Sequence, residues 1–205
     1  MLRIREIESA GPDKRACRLL FDAGVPEGYV LPRALVKELS LEEGSTVASL
    51  KDLRARVDEA EPACAMNRCL RILNARDKTS HELRTRLAQD GYHGKAVEAT
   101  LDRLIELGLV DDERFREHYV ESGLRAKKGW GRIVRELARK GIEICACDEG
   151  FQPDPDDEYA AAFSLVERMA ITTEKERNRL LRRLITRGYS YPIALRVLDA
   201  RRAML

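Results

Sequence analysis

A mainly α-helical protein, with tandem three-helix repeats in an elongated curved stack behind a small N-terminal α+β segment, is what this sequence predicts. Three observations lead there. A helix ending in glycine plus an apolar residue recurs at Gly91-Tyr92, Gly141-Ile142 and Gly188-Tyr189, spacings at the upper end for helical repeats. Strand signals fade after about residue 60. With 44% hydrophobic and 5% aromatic residues over 205 positions, several small cores in series fit better than one large one.

The first 60 residues form the α+β segment. Alternation at Leu2, Ile4 and Glu6, and the run Arg18-Leu19-Leu20-Phe21 closed by Asp22-Ala23-Gly24, predict short strands joined by turns. Pro32 can open a helix whose apolar face is Leu35, Val36 and Leu39, with Gly44 closing it. A further helix is expected from about Ser49, ending before Pro62.

Three helical repeats follow, at 61–108, 109–152 and 153–205. They superpose through Leu83-Leu87-Gly91-Tyr92, Ile133-Leu137-Gly141-Ile142 and Leu180-Leu184-Gly188-Tyr189. Thr79 with Glu82 makes a capping box, each anchoring glycine suits the left-handed conformation that stops a helix, and Asp111-Asp112 suit a helix start. The stretch Cys145 to Asp157 carries Gly150, Pro153 and Pro155, so the third helix of the middle repeat is expected to be short or missing.

Reactive constellations are not found. His81, His93 and His118 form no metal-ligand pair and lie near no candidate Ser or Cys nucleophile, Ser80 beside His81 being read as the start of a capped helix. The cysteines Cys17, Cys64, Cys69, Cys145 and Cys147 are odd in number and contain no CxxC, so buried thiols in a reduced cytoplasm are expected. Gly129 and Gly131 lack the strand and the Lys-Ser/Thr of a phosphate loop. No catalytic residue, metal or cofactor is expected. No signal segment opens the chain and charges interrupt every apolar stretch, so a cytoplasmic, monomeric protein without a membrane span is expected.

Charge is dense and nearly balanced, 37 Lys and Arg against 35 Asp and Glu, so its placement matters more than its sum. In the second repeat Ile133, Val134, Leu137 and Ala138 oppose Arg132, Arg135 and Arg139. In the third, Leu180, Leu181, Leu184 and Ile185 oppose Arg179, Arg182 and Arg183, with Arg177 and Arg187 near the ends. The first repeat places Glu82, Thr85 and Gln89 where the second has its arginines. A charged outer face is ordinarily only solvated. Here arginine dominates and the face recurs, which suits an anionic partner.

Residues 69 to 142 resemble the RecX family of recombinase regulators. The resemblance rests on Cys69-Leu70-Arg71-Ile72-Leu73, on Ser80-x-Glu82-Leu83, and on Leu104-x-x-Leu107-Gly108-Leu109-Val110-Asp111-Asp112-x-Arg114-Phe115. It continues through Tyr119 to Lys128-Gly129-Trp130-Gly131-Arg132-Ile133-x-x-Glu136-Leu137-x-x-Lys140-Gly141-Ile142. It implies a bent stack of three-helix repeats that lodges in the groove of the RecA filament on single-stranded DNA and curbs ATP hydrolysis, strand exchange and coprotease activity. It brings no catalytic residues and no small-molecule substrate. The contact residues assigned on it are Lys127, Lys128, Arg132, Arg135 and Arg139, with Arg179, Arg182 and Arg183 in the weaker third copy.

Two other readings remain open. Val30-Leu31-Pro32-Arg33 through Leu41-Glu42-Glu43-Gly44-Ser45-Thr46-Val47 looks like the swapped-hairpin AbrB transcription factors, which would make the chain a direct DNA binder with a steep salt dependence. A helical adaptor for another protein is the alternative from a different class.

Overall fold

In a computed structural model the chain is described over residues 1–22, 27–144 and 152–204. Contacts group it into two units, Met1–Asp111 and Asp112–Leu205. Among the described residues, strands occur only in the first part: β1 Leu2–Ala10, β2 Ala16–Phe21, β3 Tyr29–Pro32 and β4 Thr46–Val47 form an antiparallel sheet of order β3-β2-β1-β4. The β1–β2 pairing shifts register between Ile4 and Glu6. That bulge resets the alternation, so Ile7 rather than Glu6 follows Ile4 onto the core, together with Leu19, Leu31 and Val47.

Helix α1, Arg33–Glu38, begins after Pro32 as expected. It is shorter than expected, stopping before Ser40, whose φ is +50°.

Helix α2, Leu50–Leu73, starts from Ser49, whose hydroxyl accepts the Asp52 N–H at 3.1 Å. It does not stop before Pro62 but runs through it for 24 residues. Proline removes one amide and costs a helix interior about 3 kcal/mol. Pro62 lies on the exposed side, while Leu53 and Val57 pack into the sheet's core and Ala65 and Cys69 into the next one. Two leucine-sized burials are worth about 1.5–3 kcal/mol each, enough to hold the helix across the gap.

The second core of this unit gathers the far half of α2 with α3, Ser80–Gln89, and α4, Gly94–Glu106, around Leu83, Leu87, Val97, Leu101 and Leu104. Thr79 and Glu82 close the anticipated capping box on α3. A buried carboxylate, Glu61, receives the backbone N–H of His93 at 2.7 Å and its Nδ1 at 3.0 Å, while His93 Nε2 lies 3.3 Å from the Tyr29 hydroxyl.

The other unit holds α5 Asp112–Arg125, α6 Trp130–Ala138, α7 Pro155–Ser164, α8 Glu174–Arg187 and α9 Tyr191–Ala203. Asp112 and Glu113 occupy the first turn of α5. Val120, Ile133, Leu137 and Ile142 form a small core between α5 and α6, and α7, α8 and α9 enclose a larger one that includes Val166, Leu184, Tyr189, Val197 and Leu198. The expected short or missing third helix of the middle repeat falls on residues 145–151, outside the described residues, as do Cys145, Cys147 and Gly150. Pro153 precedes α7, and Pro155 opens it.

The glycine signal of the repeats has a common cause. Gly91, Gly141 and Gly188 have φ of +92°, +79° and +100°. In each case the glycine N–H and the next N–H bond back into the last helical turn, as in Tyr92 to the Leu87 carbonyl, Ile142 to Leu137 and Tyr189 to Leu184. This is the Schellman ending, with the residue after glycine buried over the turn that it closes. Leu109 to Leu104 repeats it with Gly108 after α4.

A candidate arginine-rich binding face

The face rests on how α5, α6 and α8 are joined. Helix α6 has no side-chain cap. Its first amides are instead taken by other helices: Gly129 N–H donates to the Arg187 carbonyl at 2.9 Å, Gly131 N–H to the Gly188 carbonyl at 3.1 Å, and Trp130 N–H to Glu158 Oε1 of α7 at 3.1 Å. The free amides of one helix start thus meet the free carbonyls of another helix end, the positive end of one dipole against the negative end of the other. Only glycine permits this approach, because a Cβ on Gly129 would lie 2.3 Å from the Gly188 carbonyl carbon and the Tyr189 nitrogen. Gly129 has φ −67°, open to any residue, so its glycine answers to proximity alone.

Lys127 completes the joint. It holds φ +54° at the end of α5, a left-handed position costly for a residue with a Cβ. Its carbonyl accepts the Tyr189 hydroxyl at 3.0 Å and an Arg187 guanidinium N–H at 3.3 Å, and its Nζ donates to Ser164 Oγ at 2.8 Å.

Of the residues assigned to the face, several are engaged within the unit. Lys128 Nζ and Arg132 Nε reach the two oxygens of Glu136 at 2.6 and 2.8 Å, and the Tyr119 hydroxyl donates to the same carboxylate at 2.8 Å. Partial burial pushes the Glu136 carboxyl up. The donors from Lys128, Arg132 and Tyr119 outweigh it and hold the group down at about 2. Lys128 also lies over the Tyr119 ring at 5.3 Å, and Lys140 over Phe115 at 5.3 Å. Arg183 leans on Met169 Sδ at 3.7 Å. At the ends, Arg177 pairs with Asp199 at 3.0 Å.

Arg135 on α6 and Arg139 at its C-cap, and Arg179 and Arg182 on α8, are exposed and make no ion pair among the described residues. The apolar sides of both helices are largely buried, with Ile133, Leu137 and Leu184 fully enclosed, although Ala138, expected on that side, is exposed and Ile185 stays 38% exposed. Sequence reasoning missed Glu136 as counter-ion and the joint at Gly129. The Arg132-to-Glu136 spacing of one helical turn was a readable sign of the first; the second has no local sign.

No group of three or more His, Cys, Asp or Glu able to hold a metal occurs among the described residues, and no described helix is long and apolar enough to cross a membrane. Burial raises the thiols of Cys17, Cys64 and Cys69, the last to about 11, so they are poor nucleophiles.

Comparison with known proteins bears on the same segments. The model of the RecX first three-helix domain matches residues 65–104, and that of the RecX second three-helix domain matches 111–145. The regulatory protein RecX of Mycobacterium sp. (strain JLS) is 37% identical over 142 residues, covering 63% of this chain and 76% of that protein. That of Mycolicibacterium smegmatis is 36% identical over 160 residues, covering 73% and 82%. The RecX structure from Lactobacillus salivarius, 22% identical, shares the fold with a TM-score of 0.61 over 72% of this chain and 99% of that one. A further RecX crystal structure, 21% identical, aligns with 97% of this chain and 100% of its own at a TM-score of 0.59. With relatives of this identity aligned over three quarters or more of their own length, the chain belongs to the RecX family of regulatory proteins.

Proposed function

We propose that this chain is a non-enzymatic regulator that binds the RecA filament on single-stranded DNA and restrains its ATP hydrolysis, strand exchange and coprotease activity. The contact surface in this reading is the face of Lys127, Lys128, Arg132, Arg135, Arg139, Arg179, Arg182 and Arg183. The observation that carries it is the four exposed arginines without an ion pair among the described residues, on two helices locked together by backbone. Arginine on a rigid support offers forked donors to carboxylate or phosphate at low entropic cost. Lys128 and Arg132 join the contact less directly, since a partner's anion must compete with Glu136 for them.

The test is RecA ATPase on single-stranded DNA, with co-sedimentation at two salt concentrations. The parent chain should inhibit well below one copy per RecA protomer. Changing Arg135, Arg139, Arg179 and Arg182 to Glu should abolish binding while shifting stability by less than about 1 kcal/mol, as exposed substitutions do. A variant that still inhibits would remove the face from the mechanism; a parent that never inhibits would remove RecA.

A further inference from the structure

A second basic surface lies in the other unit, apart from the arginine face. A cleft of about 580 Å³ opens where α1 and the sheet meet α2, with Arg15, Arg33, Lys37, Arg68 and Arg71 in its lining. The lining carboxylates are Glu38 and Asp90. Asp90 is buried and already held by Arg68 at 2.6 Å, with Arg86 at 3.9 Å, so it does not quench the rest. Arg15, Arg33, Lys37 and Arg71 make no ion pair among the described residues, leaving four cations against the single Glu38.

Two of these cations, Arg33 and Arg71, have anchored side chains. The Arg33 N–H donates to the Arg15 carbonyl at 2.6 Å, which fixes the two residues side by side. The Arg33 side chain is anchored by Nε to the Lys14 carbonyl at 3.0 Å and by NH2 to Ser9 Oγ at 2.6 Å. Arg71 is tied by Nε to the Asn67 carbonyl at 3.2 Å. A guanidinium carries five N–H donors, so both retain most of theirs for a ligand. Fixed guanidinium groups around a concavity of ligand size make an oxyanion site.

The lining also sets the class of anion. A peptide interface draws on large apolar anchors in pockets, and none of the exposed large hydrophobic residues lies in this cleft. Its apolar members are small or buried: Pro32, Ala34, Cys64 and Tyr92. With Tyr92 only 7% exposed, no ring is available for base stacking. We infer that the cleft binds the phosphate groups of a nucleotide or polynucleotide without reading its bases.

Fluorescence anisotropy of the full chain with a labelled oligothymidylate, across a salt series and with inorganic pyrophosphate as competitor, tests this. The variant Arg15→Gln, Lys37→Gln, Arg71→Gln should weaken binding about tenfold or more and flatten the slope of log affinity against log salt by about 2, near 0.7 per lost phosphate contact. Should that variant melt early, Lys37→Gln alone, at an exposed position, should flatten the slope by about 0.7. Changing Arg135, Arg139, Arg179 and Arg182 should leave this slope component in place, separating the cleft from the arginine face. Displacement by pyrophosphate supports the site and marks free phosphates as its ligands; tight oligonucleotide binding that pyrophosphate barely competes supports it and marks a polynucleotide. Unchanged affinity and slope in the cleft variants, or binding of a polyglutamate peptide with no binding of either phosphate probe, overturns it.

Discussion

Helices α3 and α6 hold the same place in successive repeats, and they solve the same problems differently. Helix α3 is closed by its own residues: Thr79 and Glu82 cap it, Arg84 grips both oxygens of Glu98 at 2.7 and 2.8 Å, and Arg86 pairs with Asp13. Helix α6 borrows its cap from α8 and α7 and leaves Arg135 and Arg139 facing outward with no ion pair among the described residues. A helix that caps itself and pairs its arginines within its own unit acts as a structural module. One that takes its cap from a neighbour and leaves Arg135 and Arg139 without an ion pair among the described residues suits the partner contact proposed for it.

Breaking the borrowed cap should have the largest effect. Gly129→Ala places a methyl group 2.3 Å from the backbone of Gly188 and Tyr189, where no side chain can yield. A loss of about 3 kcal/mol or more is expected in urea melts, at the upper end for overpacking. A change under 1 kcal/mol would show that α6 does not depend on α8.

The Glu136 hub comes next, and pH sharpens it. Its carboxyl is held at about 2, below its ordinary 4.5, so its stabilising contribution is complete above pH 4.5 and disappears as pH falls through 2. Glu136→Gln should cost about 2 kcal/mol at pH 7 and progressively less from pH 4.5 downward. A cost independent of pH would mean that Glu136 acts by shape rather than charge.

Opening the self-made cap of α3 should matter less. Thr79→Ala removes the acceptor of the Glu82 N–H and should cost about 1–2 kcal/mol, read from the thermal midpoint. Smallest is Arg84→Gln. Its pair with Glu98 is about half exposed, so the loss should be the smallest of these in the same melts, with the proposed RecA inhibition unchanged. Reduced inhibition would erase the contrast between the two helices. Neutral replacement is the right control here, because reversing Arg84 or Arg86 to Glu would set like charges against Glu98 and Asp13.

What the sequence disclosed and what it withheld divide along range. The glycine endings, the Thr79–Glu82 box and the Ser49 start are decided within four or five residues, and they are where the spacing put them. The passage of α2 through Pro62, the β1 bulge and the joint at Gly129 depend on residues far away in the chain, so local propensity pointed elsewhere or nowhere. The arginine face was legible as a pattern of alternating apolar and basic positions. That Lys128 is also spent on Glu136 was not, because it reaches that carboxylate from outside the helix, eight residues away.

Helix α2 has a consequence for how the first unit comes apart. Its amide ladder lacks one rung at Pro62, on the side away from both cores, and proline is a favoured first residue of a helix. Fraying that starts at Ser49 can therefore halt at Pro62 and leave behind a well-begun shorter helix, still pinned through Ala65 and Cys69. In native-state hydrogen exchange this single helix should give two plateaus, with amides before Pro62 exchanging alongside the sheet and those after it alongside Leu83 and Leu101. The proline is then a perforation in a continuous rod, where the strands can detach without unravelling the repeat.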